Sequence, residues 1–112
     1  MKKLELIVRP SVVQQVIDAL EETGAGGMTV TQVDGYGKQK GQTGLYRGTE
    51  FPIRLRPKVK LEVVVTEEKI ESVIEKVIEV ARTGEVGDGK IFVLPVEAAV
   101  RIRTGEKDEA AL

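Results

Sequence analysis

Leu4, Leu6 and Val8 alternate with Lys3, Glu5 and Arg9, the period of a half-buried strand. Pro10-Ser11 opens a helix, because proline suits the first helical position. Val12, Val13, Val16, Ile17 and Leu20 fall on one face of that helix, Glu21 and Glu22 lie on the solvent side, and Gly24 is its stop. Gly26-Gly27 reads as a turn, and Met28 to Val33 as a second strand ended by Asp34-Gly35. The plan then repeats. Lys58 to Val65 is a strand with Val59, Leu61, Val63 and Val65 on one face, and Thr66 is the N-cap of the next helix. Ile70, Val73, Ile74, Val77, Ile78 and Ala81 give the i, i+3, i+4, i+7 spacing of a second amphipathic helix. Arg82 to Gly89 is a glycine-rich loop. Lys90 to Val96 is apolar on both faces, which predicts a buried final strand.

Strand, helix, strand, twice over, predicts an α+β fold of the ferredoxin-like βαββαβ kind, with both helices on one sheet face. The other face stays open in a single chain. Ile7 and Val64 point to it, so packing against other subunits is expected there, although antiparallel sheets also tolerate a wet face. Between the halves, Tyr36 to Arg56 has no sustained period; long connections of this kind are uncommon in compact domains and tend to be functional. Lys38, Lys40, Arg47, Arg54 and Arg56 make it basic. The whole chain, residues 1–112, is expected to be one domain, with an interaction loop at about 36–56, a candidate phosphate-binding loop at 82–90 and a C-terminal segment at 97–112.

Composition narrows the chemistry. The 112 residues are 41% hydrophobic and 31% charged, with a net charge of -1, which gives no reason to expect nucleic acid. There is no cysteine and no histidine, so disulfides, thiolate metal sites and Ser-His or Cys-His catalysis are excluded; a bound metal would be a hard cation on oxygens, such as magnesium. No stretch approaches the about 20 apolar residues that span a bilayer, and the start is not a signal peptide, so a cytoplasmic location is expected.

Gly84-Glu85-Val86-Gly87-Asp88-Gly89-Lys90 satisfies most of the P-loop pattern, but Ile91 stands where Ser or Thr would hold magnesium. The flanks are also reversed, helix before and strand after. The glycines still allow backbone N–H groups to converge on an anion beside a lysine, or else make a tight helix-to-strand turn. Arg101-Ile102-Arg103 reads as two guanidinium groups on one side of an extended segment, suited to phosphate oxygens or simply solvated. Gly35-Tyr36-Gly37 adds another backbone open to close approach. Arg9 and Lys58 fall at neighbouring strand ends, which are often no more than solvated caps. Together with Lys90, Arg101 and Arg103 they would suit a polyphosphate plus a carboxylate.

Several strings carry a closer likeness: Gly27-Met28-Thr29-Val30-Thr31, Gln39-Lys40-Gly41, Leu45-Tyr46-Arg47-Gly48, Pro57-Lys58-Val59-Lys60-Leu61-Glu62, the run Ala81 to Val93, and Val100 to Glu106. With them the chain closely resembles the P-II nitrogen-regulatory signal-transduction proteins over essentially its whole length. The resemblance implies a homotrimer that is not an enzyme, with ATP or ADP competing for three clefts between subunits. Gly87, Asp88, Gly89, Lys90, Arg101 and Arg103 match the phosphate-binding positions. Ile7, Gly35, Gly37, Lys38 and Val64 match positions around the nucleotide, as do Gly27, Met28, Thr29 and Glu62 of the neighbouring chain. For 2-oxoglutarate bound beside magnesium-ATP, Gln39 matches the Mg2+ ligand and Lys58 the carboxylate partner, with Gly41 and Gly87 supplying backbone groups and Arg9 nearby. The loop, with Thr43, Tyr46, Arg47, Thr49 and Phe51, would bind targets such as an ammonium channel or enzymes and regulators of nitrogen assimilation; a membrane would be met only through a channel.

The chain also departs from the family pattern. Phe51 replaces a modifiable tyrosine, so nucleotidylation cannot occur there, and Thr49 stands where some members carry a phosphorylated serine. Lys38 replaces an arginine, keeping the charge and losing the planar fork. Gly44, Pro52, Arg54 and Arg56 are unusual for the loop and are expected to make its tip more basic, which motivates an alternative: a sensor of another small anion that controls a different transporter, for example in carbon uptake. Turnover is the weaker reading, since Glu50, Glu62 and Asp88 could orient a water but no strong base or arranged nucleophile accompanies them.

Overall fold

A computed structural model describes residues 1–37 and 55–112 throughout and, between them, the backbone of Thr43–Tyr46 and Thr49–Pro52. The sheet holds β1 (Lys2–Val8), β2 (Thr29–Tyr36), β5 (Leu55–Val65) and β6 (Gly89–Pro95) in the order β2-β5-β1-β6. Every pairing is antiparallel: Val8 lies opposite Val59 and Gly89, and Thr29 opposite Glu62. Helices α1 (Val13–Glu22) and α2 (Ile70–Ala81) follow β1 and β5, which completes the ferredoxin-like order of elements. A separate hairpin pairs β3 (Thr43–Tyr46) with β4 (Thr49–Pro52).

Alternation decides which face is dry. Leu4, Leu6 and Val8 of β1 and Val59, Leu61, Val63 and Val65 of β5 meet Val16 and Leu20 of α1 and Val73, Val77 and Ala81 of α2 in one core. No polar side chain is buried among the described residues. Each fully buried leucine contributes about 1.5–3 kcal/mol by leaving water. Each helix is preceded by a 3-10 turn, Pro10–Val12 and Glu67–Lys69. Thr66 does hold the N-cap position of the second turn, but its hydroxyl makes no capping bond. Gly24 takes φ +79 just beyond α1, the left-handed stop that the sequence predicts.

Three expectations change. First, Asp34-Gly35 does not end the second strand: β2 continues to Tyr36, where Tyr36 lies opposite Leu55. The stretch from 36 to 56 is therefore partly strand, its ends being the extension of β2 and β5 and its middle the β3–β4 hairpin. Local periodicity misses this because Gly35, Pro57 and the charged residues there are held by the neighbouring strand. Second, Gly26-Gly27 forms no turn; the turn is Thr23-Gly24. Third, β6 is not buried. As an edge strand it leaves Phe92, Val93 and Leu94 48%, 43% and 37% exposed. The open sheet face is also wetter than Ile7 and Val64 alone suggest. Lys3 pairs there with Glu5 at 3.1 Å and Glu62 at 3.0 Å, and Lys60 with Glu62 at 3.6 Å.

Candidate functional site

The loop after α2 is closed by one carboxylate. Asp88 accepts the backbone N–H of Thr83 at 2.8 Å and of Gly84 at 2.9 Å, and the Thr83 hydroxyl also donates to it. These bonds, led by that from the Thr83 hydroxyl, hold the Asp88 carboxyl below the usual carboxylate range. From the other side Arg9 donates through Nε to the Gly87 carbonyl at 3.1 Å and through Nη2 to that of Val86 at 2.7 Å. Lys58 Nζ reaches the same Gly87 carbonyl at 2.6 Å. The loop is thus fastened to the ends of β1 and β5. Gly89 completes it at φ +111, where a Cβ would stand 1.7 Å from the Ile7 carbonyl oxygen, so only glycine lets β6 start against β1.

Beside the loop lies a crevice of about 270 Å³ on the open sheet face. Its lining includes Ile7, the Gly35–Gly37 backbone, Arg56, Lys58, Gly87, Gly89 and Lys90, with Phe92 at the rim. Burial, then the nearby Arg9 guanidinium and, more weakly, Arg56 push the Lys58 ammonium below its ordinary range, against a smaller opposite pull from Asp88. Glycine backbones and cations on one wall suit an anion. A larger hollow of about 400 Å³ lies on the helix side between α2 and β6, but Ile74, Val77, Ile78 and Ile91 give it an apolar wall.

The structure brings Ile7, Arg9, Gly35, Gly37, Lys58, Gly87, Asp88, Gly89 and Lys90 together at one end of the sheet. Asp88 lies behind the loop rather than in the crevice lining. Gly27, Thr29, Glu62 and Val64 lie at the other end, lining a separate hollow of about 330 Å³ with Lys3, Ala111 and Leu112. Met28 packs against the core. Val64, which the resemblance groups with Ile7, lies opposite Lys3 and so at the far end, with Leu4, Glu5 and Leu6 between Lys3 and Ile7. A hydrogen bond from Lys3 holds the Glu62 carboxyl below its usual range, and the same bond raises Lys3.

Arg101 and Arg103 do not join the loop of their own chain, nor do they lie on an extended segment. Ile102 to Thr104 form a turn, closed where Val100 bridges to Lys107 and the Gly105 N–H donates to the Arg101 carbonyl at 2.7 Å. The Arg101 guanidinium donates to Glu106 at 3.2 Å and to the Leu112 carbonyl at 3.0 Å, while Arg103 is exposed. Gly105, with φ +73, is the turn signal that sequence pattern alone passed over.

Lys38, Gln39, Gly41 and Arg47 lie outside the described residues, as do the side chains of Thr43, Tyr46, Thr49 and Phe51. Arg56 is the residue that sequence reasoning misplaced. It belongs to β5, opposite Gly35 and two residues from Lys58, and not to a loop tip. Continuing the alternation of Lys58, Lys60 and Glu62 backwards through Pro57 would have found it.

Comparison with known proteins decides the family. The profile of the family described as "Nitrogen regulatory protein P-II" matches residues 1–106. The chain belongs to the P-II nitrogen regulatory family. It is 53% identical to the nitrogen regulatory protein P-II of Haemophilus influenzae and 52% identical to those of Pasteurella multocida and Synechocystis, each over 112 residues and 100% of both chains. P-II proteins are regulators by name, which points away from an enzyme. Of the carboxylates offered for turnover, Asp88 is engaged by the loop and Glu62 by Lys3 and Lys60, while the Glu50 side chain lies outside the described residues. No helix among the described residues is long and apolar enough to cross a membrane.

Proposed function

We propose that the protein is a homotrimeric, cytoplasmic sensor of ATP or ADP and 2-oxoglutarate. It regulates nitrogen metabolism, without turnover as its purpose, by presenting the 36–56 region to a target protein such as an ammonium channel or an assimilation enzyme. One observation carries this reading. The residues matched to the nucleotide divide into two sets at opposite ends of the sheet, the crevice with Ile7, Gly35, Gly87, Gly89 and Lys90 at one and Gly27, Thr29 and Glu62 at the other. A site that needs both is complete only where the loop end of one subunit meets the far end of another.

The chemistry of the crevice fits the ligands. Glycine backbones and the Lys58 and Lys90 ammonium groups oppose negative charge. Mg2+ would rest on Gln39, which the family resemblance matches to the metal ligand, and on oxygens of the bound molecules. Each ligand shifts the 36–56 region only as far as its affinity for two arrangements differs.

Calorimetry tests the reading: ATP and ADP bind, and 2-oxoglutarate binds only to protein saturated with magnesium-ATP. Equal binding of 2-oxoglutarate without nucleotide would overturn the proposed site. The placement of Arg56 in the crevice favours the alternative sensor of another small anion enough to keep it. A panel of small anions read by melting temperature separates the two, since a ligand specific to the native state raises apparent stability.

A further inference from the structure

The Arg56 guanidinium is the most conspicuous polar group in the described residues that no internal contact explains. Its Nε and Nη2 are closed off from water and have no hydrogen-bond partner among those residues. Buried donors of a charged group are normally paired, and leaving them bare is costly. The two nitrogens lie on the same edge of the guanidinium plane, spaced to grip both oxygens of one carboxylate or two of one phosphate. The side chain lines the crevice beside Lys58 and Lys90. Its strand position is fixed by the pairing of Arg56 with Gly35, where a Cβ would press to 3.0 Å on the Lys58 side chain.

We propose that Arg56 is an anion-binding residue of the crevice, which grips an oxyanion side-on through Nε and Nη2 next to the Lys58 ammonium. This deepens the functional reading given above and rests on it. Binding turns the guanidinium edge toward the crevice, because in the structure both nitrogens are out of reach of water. An entering oxyanion supplies the two missing hydrogen bonds and balances a cation that stands close to Lys58. The Lys58 shift agrees in sign, since Arg56 is among the groups that disfavour its charge. A bidentate fork adds geometric selection to a point charge, so lysine would not replace it fully.

The source of the oxyanion is either a phosphate of the nucleotide or a carboxylate of a small acid, and two calorimetric arms separate them. The first titrates magnesium-ATP into the trimeric protein, and the second titrates 2-oxoglutarate into protein saturated with magnesium-ATP. Arg56→Leu weakens one arm or both by about ten- to a hundredfold, and Arg56→Lys recovers only part of the loss. The arm that falls names the source. At the same time Arg56→Leu melts no lower than the parent, because it removes a half-buried cation whose two closed-off nitrogens make no internal hydrogen bond. Independently of any variant, the Arg56 Nε–H resonance of the unaltered protein shifts and gains protection when the ligand is added. Affinities within twofold of the parent in both arms, or an unmoved Arg56 resonance at saturation, overturn the role of Arg56 and leave the sensor reading standing. Failure of the parent protein to bind either molecule overturns both.

Discussion

The Asp88 carboxylate takes the Thr83 and Gly84 amides and the Thr83 hydroxyl, and so acts as the clasp of the loop from 82 to 90. Its folded-state pKa lies below the ordinary value, so the clasp is complete at pH above about 4 and is lost as pH falls through the lowered folded value. Acidification below pH 4 should therefore lower the protection of the Thr83 and Gly84 amides, relative to the unstructured exchange rate at the same pH, before the core opens. Asp88→Ala, which removes the acceptor, should lower protection at those two amides already at neutral pH. Unchanged protection in the variant would mean that the backbone alone holds the loop. At this scale the sequence was partly legible. The glycines and Lys90 marked the loop as special, but nothing in the string said that Asp88 would face its own backbone, because that depends on a turn formed by residues five apart. Arg101 and Arg103 show the same limit: i, i+2 spacing puts two side chains on one side only if the segment is extended, and Gly105 bends this one.

Among the elements, helix faces and central strands were read correctly because each has one dry side and a long period. Val73 and Val77 of α2 and Leu61 and Val63 of β5 went to the core as their spacing required. Edges were read less well. The strand β6 looked buried because Ile91, Phe92, Val93 and Leu94 are apolar in succession, a pattern that two-sided burial within a chain and an exposed edge covered by another chain share. Its attachment depends on one position. In Gly89→Ala the added methyl group meets the Ile7 carbonyl and the residue is forced to a positive φ. The expected loss is at least about 2 kcal/mol in urea unfolding, with β6 amides exchanging first. A variant within about 0.5 kcal/mol of the parent would show that the register of β1 and β6 can slip to make room.

For the whole molecule, exposed Phe92, Val93 and Leu94 on one sheet edge and exposed Val30 on the other need covering. Light scattering on the eluting protein should give three chains per particle, and Phe92→Asp should reduce that to smaller species, since a carboxylate buried in an apolar contact is costly. A parent protein that elutes as one chain, or a variant that stays trimeric, would place the subunit contact elsewhere. The fold and family were legible at this scale from repeated elements and ordered strings; how the candidate residues divide across the sheet was not, since no local pattern states which strand end a residue shares with another.

Gly35 at the crevice and Thr29 at the far hollow stand on one strand, β2, about 20 Å apart at about 3.3 Å per residue. A rigid strand cannot fold that gap away. On the proposed reading one chain would carry two half-sockets at opposite ends of the same sheet face, and neither could borrow the other. A small molecule that grips both counts polypeptides as it binds, and dilution alone should loosen its hold even when every copy remains folded.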